Sequence, residues 1–405
     1  KLPQSDIIEK VTVTPPGFIN FTIKDSTWQK TVGQILKDSD QYGSFKTGLG
    51  KKARVEFVSA NPTGPLHFGN ARGGPIGDSL ASVLEFLGYK VVRQYYHNDV
   101  GVQVAKLGQS IINVAAGLPL EEQEYKGEYV RELADRLSSK IKSKVNQKTA
   151  VTSPSVDLSE FGKKAVDMMF EEIKDDCEAM GIKFDEVQSE SELIGSGKTA
   201  AILEKLEAKG NLKKQDGATW FAPQLRASFA KVATKAEQGS DGQANDEFLE
   251  DRECVVVKSD GDFTYFANDI AYHNLKFESD PDLVIDIFGS NHHGHVPRLK
   301  AAVAALGYDV ERFHVILYQW VRFKKGGEIL KMSKRSGSFI TAREVLDEVG
   351  KDALRFFILM HDASTHIDFD LDLAKKKSSD NPVYYVQYAH ARISSILKKV
   401  SYEYS

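Results

Sequence analysis

The stretch from Arg54 to Tyr96 constrains this chain more than any other. Arg54-Val55-Glu56-Phe57-Val58-Ser59 reads as a buried strand, broken at Asn61-Pro62-Thr63-Gly64-Pro65. From Gly69 the pattern predicts a helix through Ile76, Leu80, Val83, Leu84 and Leu87, apolar at three- and four-residue spacing, stopping at Gly88. Val91-Val92-Arg93-Gln94-Tyr95-Tyr96 follows as a second strand. Two strands joined through a helix re-enter the sheet from the same end, so they run parallel.

The rest of the chain extends this unit. A strand over Ile19–Ile23, after Pro15-Pro16-Gly17, and an amphipathic helix from Thr27 to Lys37 are expected in residues 1–45, too little to bury a core alone. Residues 103–185 read as a helical insertion, and Asp185 to Glu192 as a return to the sheet. The polar, Gly/Ser/Asp-rich stretch 224–251 is expected to be a mobile insertion. Val255–Val257, Leu283–Phe288 and Phe313–Tyr318 are further strands, with a helix carrying Asp269 and His273 among them. The alternation predicts an α/β fold, a doubly wound parallel (Rossmann-like) sheet spanning 46–379. A helix opens the tail 380–405, with Val386, Ala389, Ile393, Ile396 and Leu397 at helical spacing.

An apolar fraction of 41 % suits a packed core rather than a disordered chain. The net charge of −4 argues against a dedicated non-specific nucleic-acid binder. It leaves open an enzyme that grips RNA on one face. Two cysteines, Cys177 and Cys254, cannot supply a thiolate zinc site by themselves, and no CxxC or HExxH run is present. Nothing in the sequence reads as a leader or a membrane span, so a reduced, cytoplasmic protein is expected, and a monomer.

Two segments carry chemistry. Pro62-Thr63-Gly64-Pro65-Leu66-His67-Phe68-Gly69-Asn70 lies between a buried strand and a helix, a junction that places backbone N–H groups and a positive helix end where phosphates bind. Gly69 allows close approach of a ligand, and His67 can donate to a phosphate or a developing oxyanion. Roughly 260 residues later Lys331-Met332-Ser333-Lys334-Arg335 follows Lys324-Lys325-Gly326-Gly327, a basic cluster in a Gly-rich loop that could neutralise a triphosphate.

Together these segments resemble the paired nucleotide motifs of class I aminoacyl-tRNA synthetases. The segments between them are similar to arginyl-tRNA synthetases: Val55–Pro62, Thr264–His273, Gly289–His295 (Gly-Ser-Asn-His-His-Gly-His), Gly350–Phe357, and, near the ends, Pro16–Phe21 and Asn381–Arg392. The resemblance covers nearly the whole chain. It implies activation of L-arginine with ATP and Mg²⁺, release of pyrophosphate, and transfer to the tRNA for arginine. His67, Lys331 and Lys334 would be catalytic. Gly69, Asn70, Gly289, Asn291, Met332 and Ser333 would join His67 and Lys334 around ATP. Glu56, Ser59, Asn61, His67, Tyr265, Asp269 and His293 would hold arginine, with Asn61 and one of His292/His293 on the amino group. Residues 1–45 would be the remnant of an N-terminal tRNA-binding domain and 380–405 the start of an anticodon-binding helical domain, a core truncated at both ends.

The substrate's chemistry points the same way. A guanidinium needs acceptor-rich planar partners. Tyr265 and Asp269 are four apart, on one helix face. Glu56 lies in an apolar strand, where a lone carboxylate is costly, so it pairs either with a bound guanidinium or with an internal Arg or Lys. His292-His293-Gly294-His295 could alternatively be a metal cluster. Asn70 stands where class I synthetases more often have His, which should alter affinity rather than chemistry. Two rivals remain, another adenylate-forming nucleotidyltransferase and a non-catalytic tRNA- or protein-binding relative. Neither needs the Tyr265/Asp269 pair together with His67, Gly69 and Lys334.

Overall fold

The structure, a computed structural model, describes residues 5–144, 158–223, 252–330 and 340–403. The chain opens with an antiparallel pair, β1 (Ile8–Thr14) and β2 (Phe18–Ile23), and helix α1 (Asp25–Asp38), which buries none of its residues. Next come β3 (Lys52–Glu56), helices α2 (Phe68–Ala71) and α3 (Gly73–Phe86), and β4 (Lys90–His97). This is the expected βαβ unit, with β3 and β4 parallel and Ala53 opposite Val91.

Helices α4 (Val102–Ala115), α5 (Glu128–Lys144) and α6 (Leu158–Ala179) form the helical insertion. They close on a core of their own, which includes Leu107, Ile111, Leu133, Phe161 and Val166. The chain returns to the sheet in β5 (Glu186–Ser189) and continues through α7 (Glu190–Gly195), α8 (Lys198–Ala208), β6 (Leu212–Gln215), β7 (Ala218–Phe221) and β8 (Cys254–Val257). Then follow α9 (Tyr265–Glu278), β9 (Leu283–Gly289), α10 (Val296–Leu306) and β10 (Phe313–Tyr318). The last part holds β11 (Val321–Lys325), β12 (Glu328–Ile329), α11 (Ala342–Val349), α12 (Lys351–Leu359), β13 (Ile367–Asp370), α13 (Leu371–Lys375) and α14 (Pro382–Glu403).

The central sheet has the order β10-β9-β3-β4-β5, every neighbour parallel. Alternate residues face opposite cores, as period two demands. Val284 packs with α9 and α10, whereas Ile285 and Ile287 pack with Phe57, Phe68 and the last helices. The chain winds outward from β3 to β4 on one side and to β9 and β10 on the other. The boundary between β3 and β9 is therefore the switch point, where ligands bind in open α/β sheets.

Two expectations are corrected. Val255–Val257 does not join the parallel sheet. It lies in β8, which pairs antiparallel with β7 in the small sheet β6-β7-β8. The cause is local: Asp216 and Gly217 both have positive φ (54° and 76°), which folds β6 onto β7 as a hairpin. β1, unassigned from the sequence, pairs with β2 across Pro15-Pro16-Gly17. The stretch 224–251 lies outside the described residues.

Candidate active site

A cavity of about 720 Å³ opens at the carboxyl ends of β3, β4, β9 and β10. One side is the first motif. Phe68 anchors it, buried against Phe323 and Phe369 with ring centroids 4.9 and 5.3 Å away. His67 caps α2, and its Nδ1 accepts the Gly69 N–H at 2.8 Å. In the neutral ring the proton therefore sits on Nε2, the donor position a phosphate or carboxylate oxygen would need. A side chain at Gly69 would put its Cβ 2.9 Å from that Nδ1, so the glycine serves the histidine. Gly69 does not itself line the cavity, whereas His67, Asn70, Gly289 and Asn291 do.

The same motif is tied to the chain beyond the second one. Phe68 N–H donates to Ile340 O (3.1 Å) and Ala342 N–H to Leu66 O (2.8 Å), which sets His67 opposite Thr341. Lys331, Met332, Ser333 and Lys334 lie outside the described residues. The segment that follows them nevertheless leaves from His67.

The other side is acidic. Glu56, 4 % exposed, accepts from Lys276 Nζ at 2.5 Å and from Ser59 Oγ at 2.8 Å. Lys276, fully buried, also donates to Asp286 (2.6 Å), whose second oxygen meets His273 Nε2 (2.8 Å). Glu56 thus has an internal lysine, the second of the two partners its sequence context allowed, and does not wait for a ligand charge. Asp269 is the more available acid: its Oδ2 meets His295 Nε2 at 2.8 Å, and its side chain keeps 29 % of its exposure. Tyr265, one helical turn earlier, lines the same wall and is 52 % exposed.

Ser59 and Val58 before it have φ of 37° and 68°, left-handed values for residues with a Cβ. Such positions cost about 1–3 kcal/mol each and concentrate at ligand sites. Here Ser59 Oγ accepts from Tyr96 N–H (3.1 Å) while bonding Glu56, which holds the turn in place. Asn61 lines the cavity with its Nδ2 donating to Gln103. Of the four-residue histidine run, His292 and His295 line the cavity and His293 does not. Burial holds the His292 imidazole below its ordinary range, and the His295 ring lies 6.4 Å from it.

Sequence reasoning missed Glu190. It is 2 % exposed, borders the cavity, accepts from Asn268 Nδ2 at 2.8 Å through Oε1, and has no partner for Oε2 among the described residues. Burial pushes its carboxyl up to about 7, against the Asn268 hydrogen bond and with the charges of Asp269 and Asp99. The hydroxyls of Tyr96 and Tyr272, also on the cavity, are likewise buried without a partner among the described residues. Buried polar atoms are nearly always satisfied, so a group of orphans on one wall marks where a polar ligand belongs. A polar residue at a strand–helix junction, Ser189-Glu190-Ser191, is the only signal the sequence offered.

Fold and cavity define a nucleotide-type α/β enzyme whose crevice holds a histidine-bearing turn at one end and a cluster of carboxylates at the other. Comparison with known proteins places it further. Residues 31–367 match the family described as tRNA synthetases class I (R), catalytic domain. A curated arginine–tRNA ligase of Citrifermentans bemidjiense is 43 % identical over 397 residues, 97 % of this chain and 67 % of that protein. One from Shouchella clausii is 40 % identical with the same coverage. The Thermus thermophilus arginyl-tRNA synthetase structure, 20 % identical, shares the fold at a TM-score of 0.68, over 98 % of this chain and 72 % of that one. The chain belongs to the class I tRNA synthetases (R), and it spans about two thirds of the length of these curated relatives.

Proposed function

We propose that the chain is the part of an arginine–tRNA ligase that activates arginine and transfers it to the 3′ end of its tRNA. The carboxylate of L-arginine attacks the α-phosphorus of ATP, a new P–O bond forms, and pyrophosphate leaves. A ribose hydroxyl of the tRNA then attacks the activated carbonyl and releases AMP. ATP enters as its magnesium complex. The protein contributes mainly position and charge.

The observation that carries this reading is the polarity of the crevice: a phosphate-type turn and the His67 donor at one end, Asp269 and the partnerless Glu190 oxygen at the other. An amino acid with a cationic planar head fits that separation, with its carboxylate toward the nucleotide. Asp269 and Glu190 receive the guanidinium, and Tyr265, Tyr96 and Tyr272 bring hydroxyls to its rim. Ser59, Asn61 and His292 flank the backbone of the substrate. Asn70, Gly289 and Asn291 face the nucleoside, and Lys331 and Lys334 offset the charge that develops on pyrophosphate.

ATP–pyrophosphate exchange with each amino acid, with and without tRNA, tests the reading. Arginine-dependent exchange is expected, and Asp269→Ala should abolish it while leaving ATP affinity nearly unchanged. Exchange with lysine in place of arginine, or equal loss of arginine and ATP binding in Asp269→Ala, would sink it.

A further inference from the structure

The helical insertion reaches back to the first motif through Tyr129, in the first turn of α5. Tyr129 OH donates to the Thr63 carbonyl at 2.9 Å. Thr63 lies in the Pro62–Pro65 turn, four residues before His67. The Tyr129 ring fits against the turn because two glycines make room. A Cβ on Gly64 would come within 3.1 Å of the ring, and one on Gly127 within 2.3 Å. The loop that leads into α5 is itself fixed. Gln123, buried, accepts from Asn113 Nδ2 (2.7 Å) and donates to Pro119 O (2.9 Å), while Glu124 pairs with Lys106 (2.7 Å).

His67 is therefore held from two sides. The segment Ile340–Ala342 fixes the backbone after the turn, and the insertion fixes the turn itself. We infer that Tyr129 is a positioning residue for the adenylation step: its hydroxyl is committed to Thr63, and through the turn it sets the direction of His67. This rests on the reading of His67 as the donor at the nucleotide end. The Tyr129 hydroxyl bonds the turn that leads to His67, whereas Asp269 and Glu190 are held by His295 and Asn268, so the two ends should respond differently to its loss. A misplacement of about 1 Å far from the reacting atoms can cost roughly a hundredfold in rate. Phenylalanine at position 129 keeps the ring and removes only the hydroxyl.

The test compares Tyr129→Phe with Tyr308→Phe, which loses a hydroxyl that donates to Asn274 Oδ1 (2.9 Å) away from the cavity. Two readouts are taken on the full chain: exchange kinetics, and the imidazole NMR resonances of His67, assigned by their loss in His67→Asn. Tyr129→Phe is expected to lower kcat about tenfold or more, to leave KM for arginine within about twofold, and to shift the His67 resonances, while Tyr308→Phe does none of these. Wild-type kcat and wild-type His67 resonances in Tyr129→Phe would overturn the proposal. So would a kcat loss that Tyr308→Phe matches. If the wild-type chain exchanges no arginine, the functional reading falls, and the His67 resonances still decide the tether.

Discussion

Glu190 is a carboxyl whose environment works against its charge. Burial and the nearby Asp269 and Asp99 raise it from an ordinary value near 4.5 to about 7, and the Asn268 amide only partly offsets them. Between those two values the folded chain holds a proton that the unfolded chain has lost, so stability falls as pH rises through that window and levels off above it. The cost of ionising it is about 3 kcal/mol, taking ~1.4 kcal/mol per pH unit. Glu190→Gln removes the titration, so the variant should gain on the wild type by roughly that amount at pH 8 and by less than about 1 kcal/mol at pH 5, read from urea midpoints. Binding runs the other way. A guanidinium needs the carboxylate, so arginine affinity should rise from pH 6 to about 7.5 in the wild type. In the glutamine variant the pH dependence should flatten and affinity drop about ten- to a hundredfold, the worth of a hydrogen bond to a charged group. Calorimetric titration across that range checks both; an identical stability difference at pH 5 and pH 8 would remove the basis of the argument.

Helix α9 shows how one element is fixed for both structure and site. Its Lys276 reaches across to Glu56 on β3 and Asp286 on β9, and its His273 meets the same Asp286. All four groups are buried. The helix thereby sits in one rotation, which is what presents Tyr265 and Asp269 to the cavity. Breaking a buried pair from one side strands the other charge, at about 3–5 kcal/mol. Lys276→Met should lose that much in a denaturant titration and loosen amide protection along α9. A loss below about 1 kcal/mol would mean that the network contributes little. The helix itself was legible, and so were β4, β9 and β10, because apolar runs and periodicity report burial directly. Lys276 was not, since a lysine on a helix reads as solvent-facing until the strands that receive it are known. Glu56 could be read only as needing a cation, and its partner lay 220 residues away. The histidine run offered three candidates, and only the turn after β9 decides that His292 and His295 face inward. The β6–β7 hairpin had its Asp-Gly signal, but its Lys-rich first strand hid the alternation a strand reading depends on.

At the scale of the molecule, the site belongs to no single stretch of chain. The register of β3 against β9 sets Glu56 beside Asp286, and Arg72, fully buried just after the first motif, donates to the carbonyls of Gln319 (2.5 Å), Thr365 (2.8 Å) and Asp362 (2.9 Å). Both halves of the parallel sheet must therefore be in place before the crevice exists. A ligand that spans it should stabilise both at once, by about 2.7 kcal/mol at a hundredfold over its Kd. Hydrogen exchange makes this visible. With saturating arginine and ATP, protection should rise together in residues 56–67, 96–98, 265–273 and 287–295, the segments that line the cavity. The hairpin and helix between Ile8 and Asp38 bury almost nothing and line none of it, so their exchange should stay as it was. Protection confined to one half of the sheet would mean that the ligand does not bridge the crevice, and the placement of the guanidinium on Asp269 and Glu190 with the carboxylate toward His67 would have to be given up.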